Sequence, residues 1–386
     1  MTPLAVPPIA VYVHWPYCAR ICPYCDFNVV RDRGQAEQAS LAEAVLRDLE
    51  GQAALIGPRA LVSVFFGGGT PSLMAPDWVA RIVETARALW PPEGDVEITL
   101  EANPTDAEAA RFAAFASAGV NRLSLGVQAF DDASLRLLGR NHDAGQARRA
   151  AGLARAHFDQ LSIDLIYALP DQAPAAWRAE IEAALAFAPD HVSPYQLTIE
   201  PGTAFDRAVR RGTLTPPGPD DAAELYETTQ AVLSAHGFEA YEVSNHARGP
   251  AARSRHNLAY WRGEDYVGAG PGAHGRLTID GARTATYAAA KVGDYVDAVN
   301  RTGVGFASRE ALTLRDAALE RLLMGLRIDE GVAWSDLAPL GLCRSSARTK
   351  DLAELGFVSL APDRLSATMA GRAVLDRVVA ELADDR

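Results

Sequence analysis

The chain predicts an α/β fold in which a partial (β/α)6 barrel of the TIM type precedes a small helical, winged-helix-like domain. Three observations carry that expectation. From the start to about residue 200, short β-rich runs alternate with longer helical stretches, the pattern of repeated βα units on a parallel sheet. The expected strands end in polar or glycine residues, which is where parallel α/β folds gather ligands. Beyond about residue 300 the alternation gives way to helices and a late hairpin. The expected division is 1–240 for the barrel, 241–300 for a connecting segment and 301–386 for the C-terminal domain.

The first strand is expected over Ala10 to His14, with a cysteine-bearing loop at its C-terminal end, and a helix over Ala36 to Leu55. Leu61 to Phe66 is a nearly continuous apolar run, as in a strand buried on both faces, and it ends in Gly67-Gly68-Gly69-Thr70-Pro71. Further strands are expected at Val96 to Leu100, Arg122 to Leu125, Leu161 to Ile166 and His191 to Leu197. They carry Glu101 and Asn103, Gly126 and Gln128, Asp164, and Tyr195-Gln196, so all the strands direct polar groups toward one mouth. Later, Pro216-Pro217-Gly218-Pro219 marks a loop, Asp221 to His236 a helix and Phe238 to Val243 a strand. Ala311 to Leu326 is an amphipathic helix, and Trp334 to Leu340 and Ser345 to Leu355 are shorter ones. Phe357 to Thr368 reads as two strands around Pro362-Asp363, and Gly371 to Ala383 as a last helix.

Composition narrows the function. Hydrophobic residues at 48% and charged residues at 22% are globular averages, so extended disorder is not expected. A net charge of −12 argues against a nucleic-acid partner, which needs a basic face to neutralise phosphates. The stretch MTPLAVPPIA lacks the basic and long apolar regions of a secretory signal, and no run of about 18 apolar residues follows, so a cytoplasmic protein is expected. Three clustered cysteines and a distant Cys343 do not make an extracellular disulfide framework, and Cys343 is expected to pack as a small hydrophobe.

The clustered cysteines, Cys18, Cys22 and Cys25, form a Cys-x3-Cys-x2-Cys array. Thiolates this close on a short loop can converge on one metal centre. A structural zinc site needs a fourth ligand, for which His14 is the near candidate; an iron–sulfur cube on three cysteines instead keeps one iron open to a small molecule. With Tyr24 before the last cysteine and Phe27 after it, the array resembles the cluster loop of the radical S-adenosylmethionine (SAM) enzymes. That resemblance implies a 4Fe–4S cluster on the three cysteines, with SAM on the open iron and one electron cleaving its sulfonium to a 5′-deoxyadenosyl radical. The order of the strand-end motifs is similar to that of the radical SAM partial barrel, and more narrowly to the oxygen-independent coproporphyrinogen oxidase-like group. By that resemblance Tyr12, Gly68, Gly69, Thr70, Glu101, Gln128, Arg140 and Asp164 line the SAM pocket. The glycines would admit its methionyl part, Arg140 would meet a carboxylate and Asp164 the ribose hydroxyls. No Gly-Lys-Ser/Thr follows Gly67-Gly68-Gly69, so it is not a P-loop. Gly270 to Gly275 fits GxGxxG but runs into Arg276-Leu277-Thr278-Ile279, a strand rather than the helix a dinucleotide site requires.

A second informative stretch is Arg255 to Arg262, where His256, Asn257, Tyr260 and Trp261 crowd one turn. Such a set suits a flat aromatic ligand, the histidine binding its metal while the rings stack; it equally suits packing of the barrel against the later domain. HNLAYW resembles the HNxxYW signature of the HemW heme chaperones, a branch of the same group. The resemblance implies His256 as axial ligand to heme iron, and a protein that passes heme to an apo-hemoprotein such as a respiratory enzyme, with a homodimer as one form of it. The coproporphyrinogen oxidases resemble CxxxCxxCxC, whereas here Phe27 follows Cys25-Asp26. The alternative is a radical enzyme acting on a tetrapyrrole by oxidative decarboxylation or methyl transfer. A zinc-stabilised regulatory protein using the winged helix is a third reading, against which stands the lack of a basic stripe.

Overall fold

The computed structural model describes residues 7–384 apart from residue 33. The stretch Met1 to Val6, part of the segment in which no signal sequence was expected, lies outside the described residues. Parallel strands arise where the alternation places them: β1 (Ile9–Trp15), β2 (Leu61–Gly68), β3 (Glu97–Ala102), β4 (Arg122–Gln128), β5 (Gln160–Tyr167) and β6 (His191–Gln196). Antiparallel β7 (Glu239–Glu242) and β8 (Asn245–Ala247) extend the β6 edge. At the other edge β9 (Asp265–Ala269) pairs parallel with β1, and β10 (His274–Ile279), β11 (Ala282–Ala288) and β12 (Phe306–Ala311) follow antiparallel. The order across this 12-stranded sheet is β12-β11-β10-β9-β1-β2-β3-β4-β5-β6-β8-β7. Residues 241–300, read as a connecting segment, thus supply β8 to β11 to the same sheet.

The parallel part gains one strand beyond those expected. Asp265-Tyr266-Val267-Gly268-Ala269 is too short and too glycine-broken to announce itself, and it becomes a strand by pairing with Ile9 to Val13. Alternation then divides each strand between two environments. Val11, Val13, Val64, Phe66, Ile98, Leu100, Leu123 and Ile163 belong to one continuous core that includes residues of α1 (Gln35–Ile56) and α2 (Pro76–Leu89). On the opposite face the register aligns Tyr12 with Phe65, Ser63 with Glu97, Ser124 with Ser162, and Asp164 with Ser193. The Leu61 to Phe66 run is therefore not apolar on both faces, because the fully buried Ser63 belongs to the inner one.

A short helix, α3 (Arg255–Trp261), closes the end of the barrel where the strands begin. Its N-terminus is held by Glu97, the first residue of β3, whose carboxylate accepts from Arg255 N and His256 N at 3.1 Å each and lies 3.7 Å from the buried Arg122 guanidinium. Beyond α4 (Leu314–Gly325), strands β13 (Val332–Ala333), β14 (Val358–Leu360) and β15 (Arg364–Ala367) form a small antiparallel sheet in the order β13-β15-β14, with its own core of Leu322, Leu326, Leu337, Leu365 and Val378. Arg327 fastens this unit to the barrel by a 2.7 Å bond to Glu242, and Arg372 donates to Ala240 O at 2.8 Å. Cys343 does not pack as a small hydrophobe. It is exposed in a polar turn, its sulfur 3.2 Å from Ser345 Oγ, because Ser345 and Ser346 lead into the next helix and leave no core position there. Among the described residues no helix is long and apolar enough to cross a membrane.

Candidate cofactor site at the barrel mouth

β1 delivers Tyr12 and His14 to the mouth, and the cysteine loop leaves its end. His14 Nε2 donates to the Asn28 carbonyl at 2.8 Å, so its Nδ1 accepts from the Tyr12 hydroxyl at 3.0 Å. Both ring nitrogens are engaged, which removes His14 as a fourth ligand for zinc. The Asn28 amide donates at 2.8 Å to Pro271 O and to Ala290 O, tying the end of the loop to the turn after β9 and to the segment after β11. A Cβ at Gly270 would lie 2.2 Å from His14 O, and one at Gly272 would lie 2.4 Å from the Asn28 side chain. These glycines serve close packing under the cysteine loop, and the strand that follows them is β10, as expected from the sequence.

The three loop thiols are free. Cys18 accepts from Thr70 Oγ1 at 3.7 Å, and Cys22 from Arg140 Nη1 at 3.4 Å. Burial pushes the Cys18 thiol up to about 11, with Cys25 and Cys22 adding to the rise, and burial also raises Cys25. Thiols held neutral in this way need a metal to become thiolates. The sulfurs are near enough to perturb one another, yet among the described residues no three His, Cys, Asp or Glu side chains converge as ligands of one metal ion. Three thiols spread around a shared space fit a polynuclear cluster better than a single ion.

Beside the thiols lies a polar pocket. Gly68 has φ +112°, and a Cβ there would meet the His14 ring at 2.7 Å; one at Gly69 would meet Pro16 O at 2.7 Å. Gly68 N donates to Glu101 at 3.1 Å. Burial and the nearby Asp164 push the Glu101 carboxyl up to about 8, and burial also raises Asp164 although Ser124 and Ser162 donate to it at 2.8 and 3.2 Å. Tyr195 is 43% exposed as a residue, but burial of its hydroxyl end, with Asp164, Glu242 and Glu101 nearby, holds that hydroxyl well above the usual range. Gln128 has φ +68°, and its buried Oε1 lacks a partner, as does Arg140 Nε. Asn103 joins the pieces, donating to Thr70 Oγ1 at 3.1 Å and accepting from Arg140. Two half-buried carboxylates without an ion pair among the described residues, with an amide oxygen and a guanidinium N–H left without partners, suit a cationic ligand with its own polar groups. The sulfonium and ammonium of SAM have that character.

All the sequence-predicted cluster and SAM residues meet here. The HNLAYW residues do not. His256 is 2% exposed, its Nδ1 3.0 Å from Ser63 Oγ, its ring stacked on Phe65 at 4.9 Å and flanked by Tyr260 at 4.9 Å. Its Nε2 is unpartnered, but no open face of the ring admits a group the size of a tetrapyrrole. Tyr260 stacks on Tyr266 at 4.0 Å, and Trp261 lies under the Arg327 guanidinium at 4.7 Å, at the junction with the C-terminal unit; Asn257 contributes its backbone N–H to the Ser254 cap. Sequence reasoning gave no role to Asn28, Ser124, Ser162 or Glu97. Asn103 was visible only as a strand-end polar residue, and the partners of the others are set by register.

The Radical SAM superfamily profile matches residues 12–183, which contain every cluster and SAM candidate, and the HemN C-terminal domain matches residues 312–374. Over 385 residues the chain is 41% identical to the Bos taurus protein named Radical S-adenosyl methionine domain-containing protein 1, mitochondrial, with 97% of this chain and 87% of that one covered. The chain belongs to the radical SAM superfamily. Within that superfamily it falls in the HemN-like group, close to HemW: it is 40% identical to heme chaperone HemW of Escherichia coli over 72% of each protein. It is 36% identical to HemW of Mycobacterium tuberculosis over 99% of this chain and 96% of that one. The structure of the Escherichia coli radical SAM enzyme coproporphyrinogen III oxidase (HemN) superposes with a TM-score of 0.80, covering 99% of this chain and 91% of that one, at 22% identity. That likeness establishes the fold alone. Membership of the radical SAM superfamily implies a 4Fe–4S cluster and SAM.

Proposed function

We propose that this chain is a cytoplasmic heme chaperone that holds a 4Fe–4S cluster and SAM, binds heme and hands it to an apo-hemoprotein. The observation that carries the reading is end-to-end similarity to a protein named heme chaperone HemW, 36% over 99% of this chain. Cys18, Cys22 and Cys25 would hold the cluster, which when bound supplies an electron and an open iron for the amino-acid end of SAM. Gly68, Gly69 and Thr70 would lie beside that ligand, the two glycines packing closely on the His14 ring and the Pro16 carbonyl, and Tyr12 would close the pocket beneath it. The positive charge of that ligand would draw the raised carboxyls of Glu101 and Asp164 back to their ionised forms, Gln128 and Arg140 offer free hydrogen-bonding atoms, and Asn103 holds Arg140 in register with the loop. The rival reading, a radical enzyme acting on a porphyrin, uses the same mouth and differs in whether SAM is consumed.

Anaerobic reconstitution with iron and sulfide, followed by a hemin titration, by transfer to an apo-hemoprotein and by assay of 5′-deoxyadenosine in the same samples, separates the two. Saturable hemin binding and transfer with little 5′-deoxyadenosine is the expected result. Porphyrin-dependent 5′-deoxyadenosine in stoichiometric excess over protein would establish turnover and overturn the chaperone reading.

A further inference from the structure

We propose that His191 is a positioning residue of the SAM pocket, a buried imidazole that turns the Ser162 hydroxyl toward Asp164 and so fixes the carboxylate that meets the ligand. The proposal rests on the reading above in which Asp164 lines the SAM pocket. His191 opens β6, and the parallel register sets it beside Ser162 of β5, with Ser193 beside Asp164 one layer nearer the mouth.

A line of buried groups ends on that carboxylate. Ser254 N donates to the Tyr241 hydroxyl at 3.2 Å, and that hydroxyl lies 2.9 Å from His191 Nε2. His191 Nδ1 lies 2.8 Å from Ser162 Oγ, and Ser162 donates to Asp164 Oδ1 at 3.2 Å. Ser254, Tyr241, His191 and Ser162 are each no more than 3% exposed. Burial and the nearby Arg122 guanidinium hold the imidazole well below its usual range, so it is neutral and carries one N–H.

Tyr241 decides which nitrogen carries it. The tyrosine hydroxyl already accepts from Ser254, and among the described residues His191 Nε2 is its one acceptor; a proton on Nε2 would leave a buried O–H without a partner. The proton is therefore on Nδ1, which donates to Ser162 Oγ. Ser162 has one hydrogen to give, and of its neighbours Ser193 Oγ at 3.3 Å and Asp164, the carboxylate makes the stronger bond. The opposite tautomer would present a lone pair at Nδ1, draw the Ser162 hydrogen onto itself and leave Asp164 Oδ1 without that donor. Ser124 meets the other oxygen, Oδ2, at 2.8 Å, so the two serines together set the rotamer of Asp164 and favour its ionised form.

The test uses the full chain, anaerobically reconstituted with iron and sulfide, with cluster content and melting temperature measured for each variant. SAM is titrated by calorimetry from about pH 6 to about pH 9. Ser162→Ala and His191→Gln should each weaken SAM by about tenfold near neutral pH, with affinity recovering at higher pH, because an Asp164 that has lost a donor to its ionised form ionises later. Glu101, Arg122 and Tyr195 also face Asp164 and are unchanged in these variants, so the shift is read as a difference from the wild-type profile. His191→Asn, whose Nδ2 stands where Nδ1 does, should recover most of the loss, and the more distant Tyr241→Phe should weaken SAM by about threefold. Spectra of the chain labelled at the histidine ring nitrogens should show a neutral imidazole protonated at Nδ1 whose signal disappears in His191→Asn; protonation at Nε2 overturns the proposal. Wild-type affinity in Ser162→Ala and His191→Gln, or an equal loss in His191→Gln and His191→Asn at every pH, also overturns it and leaves the SAM reading standing. Unchanged SAM binding in Asp164→Asn, or none by the wild-type chain, removes the reading of Asp164 itself and the role of His191 with it.

Discussion

Glu101 is held by one backbone donor, Gly68 N–H, and faces Asp164 instead of a cation. Its carboxyl titrates near 8 in the folded chain against about 4.5 in a free side chain. The folded state therefore keeps a proton that the unfolded chain has already released. Stability falls as pH rises from about 4.5 to about 8 and is flat, for this group, above that. Asp48, raised to about 6 by burial, and Asp164 tilt the profile the same way, so the Glu101 contribution is read as a difference between variants. Glu101→Gln should flatten the denaturant-derived profile over that window and raise stability at pH 8 by about 1–3 kcal/mol; parallel profiles would mean that the carboxylate is solvated or paired after all. The position of Glu101 was legible because strand ends carry function, but its protonation depends on which carboxylate faces it across the sheet. His256 is the converse case. Its chemistry stood out in sequence, while its burial between Phe65 and Tyr260 came from packing that no local pattern announces.

Helix α3 has seven residues, too few to persist alone, and it stands where it does because Glu97 satisfies its first N–H groups. The same carboxylate is the ion-pair partner of Arg122, and both side chains are less than a tenth exposed. Glu97→Ala removes the cap and strands a buried guanidinium, so an expected loss of about 3–5 kcal/mol should appear in urea melts. Glu97→Ala/Arg122→Met should recover part of that loss, because deleting both charges leaves neither unpaired. If the double variant is no more stable than the single one, the cap rather than the pair dominates. The parallel strands were readable as elements because each is an apolar run ended by polar residues. β9 was not, since Gly268 and the brevity of the run hide it; β1 supplies the missing information from the far end of the chain.

At the scale of the whole molecule, the C-terminal unit has a core of its own and is fastened to the barrel largely by arginines. Arg327 reaches Glu242, which is fully buried and also accepts from Ser244 N and Asn245 Nδ2, both at 2.7 Å. Arg253 meets Asp329 at 2.7 Å, and Arg262 meets Glu330 at 2.5 Å. Arg327→Ala leaves the Glu242 charge without its cation and should cost about 3–5 kcal/mol. Hydrogen exchange should show that loss first in residues 312–374, with the barrel amides protected as before; uniform deprotection would show instead that the two cores unfold as one. Domain type was legible from the helical pattern and the hairpin around Pro362-Asp363, whereas this seam depends on arginines that look in sequence like any solvated charge. The tether from Asn28 to Pro271 and Ala290 also sets a clock during synthesis. At about 5–20 residues per second, roughly a quarter of a minute to a minute separates the emergence of the cysteines from that of the turn that braces them. Throughout that interval β1 lacks its β9 neighbour and the thiols ride on a nascent chain without that brace.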